Sequence, residues 1–284
     1  MPIIKRIINL LEDQEISDGT ILVRATEPNG QRRNRLEVYG RQWAETQGVP
    51  VPRIIDFSTD GSWMLSERAY FAEPSGHEYV DMAFESAERI ASAVHPAPPD
   101  AITTWRNPDR KGTLKRAFKL AFAGISPLLF IRARSAAAQL PDEVPCHFDF
   151  HTGNVLHTEP RPGDMIAAAT IIDFEYLRMG PRHADKLRLI TTLKSHADAA
   201  YGLDLLLQQT PKDQWSTIVI QLRWLALRPL AELIAADRKI DPALIKNARE
   251  RWRLAQQWIK EINNARERAD LPALSIDPSN TDTN

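Results

Sequence analysis

The stretch Cys146-His147-Phe148-Asp149-Phe150-His151-Thr152-Gly153-Asn154-Val155-Leu156 spells H-x-D-x-x-x-x-N. A little further on, Ile171-Ile172-Asp173-Phe174-Glu175 sets an aspartate at the end of a β-branched apolar run. Two carboxylates and an amide in this pattern suit phosphoryl transfer from ATP. One carboxylate meets the attacking hydroxyl, while the amide and the second carboxylate take magnesium. Such a transfer needs positioning and charge neutralisation more than covalent help. A loop around Gly153 can aim Asp149 and Asn154 into one cleft. Asp173 offers the hard oxygen that magnesium prefers.

Each residue also has a plainer reading. Asp149 fits a turn before a strand, with His147 as a packed histidine, and Asp173 fits a helix N-cap. The three residues taken together favour the chemical reading. A rival uses the alternation of His147, Asp149 and His151. On a strand all three project from one face. Two imidazoles and a carboxylate then hold zinc or iron with an open position. That alternative, a metal-dependent enzyme, leaves Asn154 and Asp173 without a role.

The elements that must position these residues divide the chain. Asp18-Gly19 is a hairpin turn leading into the strand Thr20 to Arg24. Residues 34–47 read as a helix capped by Asn34, ended by Gly48 and followed by Pro50 and Pro52. A second hairpin runs from Arg53 to Phe57 and from Trp63 to Glu67, turning at Asp60-Gly61. The segment Ala69 to His77 is a connector. From there the sequence turns helical. Phe84 to Val94 forms one helix closed by His95-Pro96, and 113–139 forms one or two, interrupted near Pro127. Val155-Leu156 and Ala168 to Ile172 are strand-like. Two long helices close the chain. The first starts near Trp215 and is kinked or broken by Pro229. The second is capped by Asp241-Pro242, with Leu244, Ala248, Trp252, Ala255, Ile259 and Ile262 on one face. The tail 275–284 is polar and expected to be disordered.

Composition narrows the field. The 284 residues are 43% hydrophobic and 26% charged, enough apolar content for a real core. A net charge of −1 makes no case for nucleic acid or an anionic membrane as partner. The lone Cys146 excludes an internal disulfide and a cysteine-rich metal site. The run Ile7 to Leu11 stops at Glu12-Asp13, too short for a signal-peptide core. Leu120 to Ile131 contains Pro127 and is too short for a membrane span. The expected location is the cytoplasm.

The segments His147 to Leu156 and Ile172 to Glu175 resemble those of the aminoglycoside phosphotransferase family, a small-molecule branch of the protein-kinase-like fold. Gly180-Pro181 with Asp185, Val49-Pro50-Val51-Pro52, and Ala91 to His95 resemble further family segments. The resemblance spans roughly residues 15 to 190. It implies an α+β, bilobal kinase-like fold. A small N-terminal sheet lobe with one helix (1–68) binds nucleotide. A larger, mostly helical C-terminal lobe (69–274) carries catalysis and the acceptor.

It also implies roles. Asp149 is the catalytic base or hydroxyl-orienting residue, and His147 braces its loop. Asn154 and Asp173 bind magnesium. Asp185 anchors the loop through backbone hydrogen bonds. Arg24 touches the ATP phosphates, with Glu37 as its ion-pair partner. Ser66, Glu67, Arg68 and Ala69 form the hinge along the adenine, with GTP as the other possible nucleotide. The acceptor is a small hydroxyl compound: an antibiotic, sugar, amino alcohol or other metabolite.

Upstream, plainer readings stand beside these. Asn34 and Glu37 also fit a helix capping box, and Arg24 also fits a solvated strand end. The chain departs from the family where a glycine-rich loop would cover the phosphates. Leu11 to Ser17 has no glycine, and Phe148 stands where the family usually has Gly or Arg. The expected nucleotide cover is short or missing. The corresponding alternative is a non-catalytic kinase-like binding protein with a degenerate nucleotide site. The helices after residue 200 are mixed in charge, unlike the acidic pocket that a polycationic sugar needs. Trp215, Trp224, Trp252 and Trp258 are expected to pack a core.

Overall fold

The computed structural model describes residues 11–17, 20–69, 76–94, 116–118, 120, 125–158, 168–235 and 242–268. Two compact units emerge. One comprises Met1–Thr104 and Asp142–Asp198, the other Trp105–Pro141 and Ala199–Asn284.

The first unit opens with an antiparallel sheet of β1 (Leu11–Ser17), β2 (Thr20–Ala25), β3 (Ile54–Phe57) and β4 (Trp63–Glu67), in the order β1-β2-β4-β3. Hairpin, helix, hairpin is the expected succession. The turn Asp18-Gly19 lies outside the described residues. The second turn is as expected: Gly61 sits at φ 80°, and Asp60 accepts the Ser62 N–H at 2.9 Å. A φ of that sign suits glycine, which carries no Cβ.

Between the hairpins, α1 spans Pro28–Thr46. It starts six residues before the expected cap. Pro28 takes the first helical position, where its missing N–H costs nothing, and Glu27 precedes it. Asn34 is therefore no cap, and the capping-box reading of Asn34 and Glu37 fails. Asn34 is buried and donates its amide to Gly61 O at 3.0 Å, tying α1 to the β3–β4 turn. Gly48, at φ 70°, follows the helix as expected.

The connector 70–75 and the helix stop at His95-Pro96 lie outside the described residues. Helix α2 spans Gly76–Ala91, eight residues longer at its start than expected, and buries Tyr79, Val80, Ala83, Phe84, Ala87 and Ile90. The Tyr79 hydroxyl donates to Val155 O at 2.8 Å. The site-bearing segment follows as two small antiparallel pairs. Strand β5 (Val144–Cys146) pairs with β8 (Arg178–Gly180), and β6 (Val155–Thr158) pairs with β7 (Ala168–Ile171). Helix α4 (Ala184–Ile190) then buries Ala184, Leu187, Leu189 and Ile190.

The second unit is helical. Helix α3 is Pro127–Ala137, so Pro127 starts a helix at its first turn. The rest of the expected 113–139 helix lies mostly outside the described residues. Helix α5 (His196–Gln209) bridges the end of the first unit and the start of the second. A 3-10 turn (Lys212–Gln214) leads into α6 (Trp215–Ala235) and α7 (Pro242–Glu267). Both α4 and α5 are additions to the two long helices expected here.

Helix α6 is not broken at Pro229. The one lost backbone bond is outweighed by burial of Leu222, Leu225, Leu227 and Leu230 along the same helix. Trp252, Ala255, Ile259 and Ile262 of α7 are buried as the periodicity predicts. Asp241 and the tail lie outside the described residues. So do the side chains of Leu244 and Ala248. Trp258 is buried and Trp224 meets Phe130 at 5.4 Å between ring centres. Among the described residues no helix is long and apolar enough to cross a membrane.

Candidate active site

The loop after β5 carries the first motif. His147 and Phe148 donate their backbone N–H groups to the two carboxylate oxygens of Asp185, at 2.7 and 2.9 Å. Phe148 holds φ 64°, in the left-handed region. A bulky residue gains nothing by that conformation alone. The Asp185 anchor offsets the strain. So does burial of the Phe148 ring, which fills the space a Cβ on Gly180 would take and stacks under the Arg178 guanidinium at 3.9 Å. Burial pushes the Asp185 carboxyl up to about 6, against the pull of those two N–H donors.

His147 is fully buried. Its Nε2 lies 2.9 Å from Ile172 O, so Nε2 carries the proton and donates. Nδ1 is buried without a partner. Phe150 and Phe174 meet the ring edge-on at 5.9 and 4.7 Å. Burial pushes the imidazole down to about 4, so it is neutral at ordinary pH. This geometry overturns the zinc or iron alternative. Strand β5 ends at Cys146 and Phe148 is left-handed, so the alternation of a strand does not continue to His151. His147 points at a carbonyl, and no group of three metal-ligating side chains occurs among the described residues.

Asp149 and Asn154 converge. The Asn154 amide donates to Asp149 O at 3.0 Å and lies 3.5 Å from Asp149 Oδ2 and 3.4 Å from Asp173 Oδ2. Asn154 O accepts the Ile172 N–H at 3.0 Å, and Ile171 N–H reaches Pro50 O at 2.8 Å. The β6–β7 pair thus sets the spacing of Asn154 and Asp173. Asp173 stands at φ 67°, ψ 56°, just before a single 3-10 turn, Phe174–Tyr176. Its backbone N–H donates to Glu37 Oε1 at 3.1 Å.

One cation and one imidazole N–H hold Asp149. Arg188 Nη2 donates to Oδ1 at 3.1 Å, and His151 Nε2 lies 3.4 Å from Oδ2. His151 Nδ1 accepts the Gly153 N–H at 2.9 Å, which leaves the proton on Nε2. Burial raises the Asp149 carboxyl, but His151 and Arg188 overcome it and hold the group well below the usual carboxylate range. Asp173 is the opposite case. Burial pushes it well above that range, followed by the charges of Glu37, Glu175 and Asp149, with Arg33 opposing.

The expected pairing of Arg24 with Glu37 is not formed. Arg24 is exposed on β2, opposite Glu12 and Trp63. Glu37 instead binds Arg41, one helical turn on, and Arg33 grips Glu175 through Nε and Nη2. Sequence reasoning missed Arg41, Arg33, His151 as a partner of Asp149, and Arg188. Two had a local signal. Arg41 is four residues after Glu37, and Arg188 is three after Asp185, each pair sharing a helix face. Arg33 and Glu175 are joined only by the fold. The residues expected to form the hinge, Ser66 to Ala69, lie at and just after the end of β4. Ser66 is buried and donates its hydroxyl to Glu67 O at 3.1 Å, Glu67 pairs with Arg53 at 3.2 Å, and Arg68 and Ala69 are half-buried.

The phosphotransferase enzyme family (APH) matches residues 15–217, and the chain belongs to that family. Several solved structures share the kinase-like fold. Aminoglycoside phosphotransferase APH(2'')-Ib, ADP-bound, is 14% identical with a TM-score of 0.53, covering 90% of this chain and 97% of its own. A choline/ethanolamine kinase family protein from Mesorhizobium loti is 16% identical with a TM-score of 0.51, over 92% and 91%. The GDP complex of aminoglycoside 2'-phosphotransferase-IIIa is 11% identical with a TM-score of 0.55, over 89% and 90%. No curated protein matches the sequence.

Proposed function

We propose that this phosphotransferase moves the γ-phosphoryl group of ATP or GTP, with magnesium, to a hydroxyl of a small molecule in the cytoplasm. The observation that carries the reading is the meeting of Asp149, Asn154 and Asp173 around one amide, within 3.5 Å.

Asn154 and Asp173 fit magnesium. Both are oxygen donors, and the raised Asp173 carboxyl marks an excess of buried negative charge that a cation relieves. Asn154 and Asp173 would hold the metal, which would supply positive charge to neutralise the phosphoryl group in transfer. Glu37, through the Asp173 N–H, and His147, through Ile172 O, hold the backbone on either side of the Ile172–Asp173 bond. Asp149 stays ionised and accepts a hydrogen bond from the acceptor hydroxyl, turning its lone pair toward the phosphorus. A strong base is not needed, because the transition state of phosphoryl transfer is loose. Arg24 and the hinge Ser66 to Ala69 are the proposed contacts to phosphates and base.

A thermal-shift titration tests this, with ATP or GTP, with and without magnesium, on the wild type and Asp173→Asn. Saturation at about a hundred times Kd stabilises the folded protein by roughly 2.7 kcal/mol. The expected result is a magnesium-dependent rise in Tm in the wild type that Asp173→Asn loses. A rise without metal dependence, or none with either nucleotide, favours the non-catalytic binding protein to which the missing glycine loop points.

A further inference from the structure

Arg188 is a side chain that the transfer reaction itself does not call for. It sits on α4, three residues after Asp185, and its side chain is 16% exposed. The Nε–H and Nη2–H of a guanidinium form one edge of a rigid fork that fits two oxygens at once. Arg33 uses that edge in full on Glu175. Arg188 uses half of it. Nη2 is on Asp149 Oδ1, while Nε, on the same edge, is buried without a partner. The neighbouring hydroxyls of Thr191 and Thr192 donate to the Arg188 carbonyl.

Charge at this end of the site follows. Both oxygens of Asp149 already face a cation or a donor. The remaining carboxylates, Glu37, Asp173 and Glu175, are met by Arg41, Arg33 and the metal proposed above. An acceptor with an ammonium group beside its reacting hydroxyl would come against Arg188 with no carboxylate to spare. An acceptor with an anionic group there would pair with the part of the guanidinium that is exposed, while its hydroxyl lies against Asp149.

We propose that Arg188 is an acceptor-binding residue, and that the acceptor is an alcohol bearing a carboxylate or phosphate close to the hydroxyl that is phosphorylated. This rests on the phosphotransferase reading and names the substrate class of the same site.

The test is a trio of matched alcohols: glycerate, glycerol and 3-amino-1,2-propanediol. Nucleoside diphosphate release and phosphorus NMR of the product are followed for the wild type, Arg188→Gln and Arg188→Lys. In the wild type the expected order of kcat/KM is glycerate, then glycerol, then the amine. Arg188→Gln should raise KM for glycerate roughly ten- to a hundredfold, the worth of a charged hydrogen bond, and flatten the order. Arg188→Lys, which keeps the charge but not the fork, should restore part of the preference.

An equal loss of kcat across the trio in Arg188→Gln would overturn the proposal, leaving Arg188 as an orienting group for Asp149. Preference for the amine in the wild type would overturn it too. Magnesium-dependent nucleotide binding without turnover of glycerate counts against the anionic acceptor alone. Loss of nucleotide binding in the wild type removes the phosphotransferase reading itself.

Discussion

Burial costs His147 its charge, and this makes its structural role measurable. With the proton on Nε2 held by Ile172 O and Nδ1 orphaned, a second proton has nowhere to be solvated. The folded pKa of about 4 lies below the ordinary 6.5. Between those values the unfolded chain binds a proton that the folded one refuses, so stability falls as pH drops through that window. Asp185 and Asp173, whose carboxyls are raised, act in the other direction over part of it. A difference measurement isolates the histidine. The stability gap between wild type and His147→Gln, from urea denaturation, should narrow by about 2 kcal/mol from pH 7 to pH 5. A constant gap would mean that His147 takes up its proton as readily in the folded protein as in the unfolded chain. At this scale the motif was legible because its members are close in sequence. His147, Asp149 and Asn154 share one loop, and Asp173 ends the strand that pairs with the next. Arg33 was not legible, since nothing local links it to Glu175, 142 residues away. Arg24 was misjudged for the converse reason. A strand-end cation and a helical glutamate looked like partners, but Arg41 was nearer.

Helix α1 carries the elements' part of the argument. It packs on the 3-10 turn after Asp173, and the closest approach is at Gly40. A Cβ there would stand 2.5 Å from Phe174 Cβ and 3.0 Å from Phe174 O. Helix propensity alone makes Gly40→Ala stabilising by roughly 0.5–1 kcal/mol. The contact reverses the sign, because a backbone oxygen cannot swing aside as a side-chain tip can. Gly40→Ala should destabilise by about 1–3 kcal/mol in urea denaturation, and it should weaken magnesium-nucleotide binding as Phe174 and Asp173 shift. A neutral or stabilising result would mean that α1 and the turn are not in contact at this point. The start of α1 was misread because Asn34, three residues before Glu37, has the form of a cap. Pro28, a sound first-turn residue, was the better signal. Pro229 failed as a breaker for a different reason, since α6 is buried on both sides of it.

At the scale of the molecule, the packing division does not follow chain order. Residues 142–198 belong with 1–104, so the sheet, α1 and every proposed site residue from Arg24 to Asp173 fall in one compact unit. Arg188 falls there as well. No periodicity reports such a grouping, because it depends on contacts such as Ile171 N–H to Pro50 O and Asp173 N–H to Glu37 across more than a hundred residues. The kinase-like class was nonetheless legible, through the order hairpin, helix, hairpin and the two motifs that follow. The grouping sets where a bound nucleotide should be felt. Amide exchange slows where opening must first release the ligand. Magnesium with ATP or GTP should therefore slow exchange in β2, β4, α1 and the segments 147–158 and 168–180. The amides of α6 and α7, packed on each other in the second unit, should keep their rates. Slowing confined to α6 and α7 would place the nucleotide away from Asp149, Asn154 and Asp173, and the proposed chemistry would lose its site.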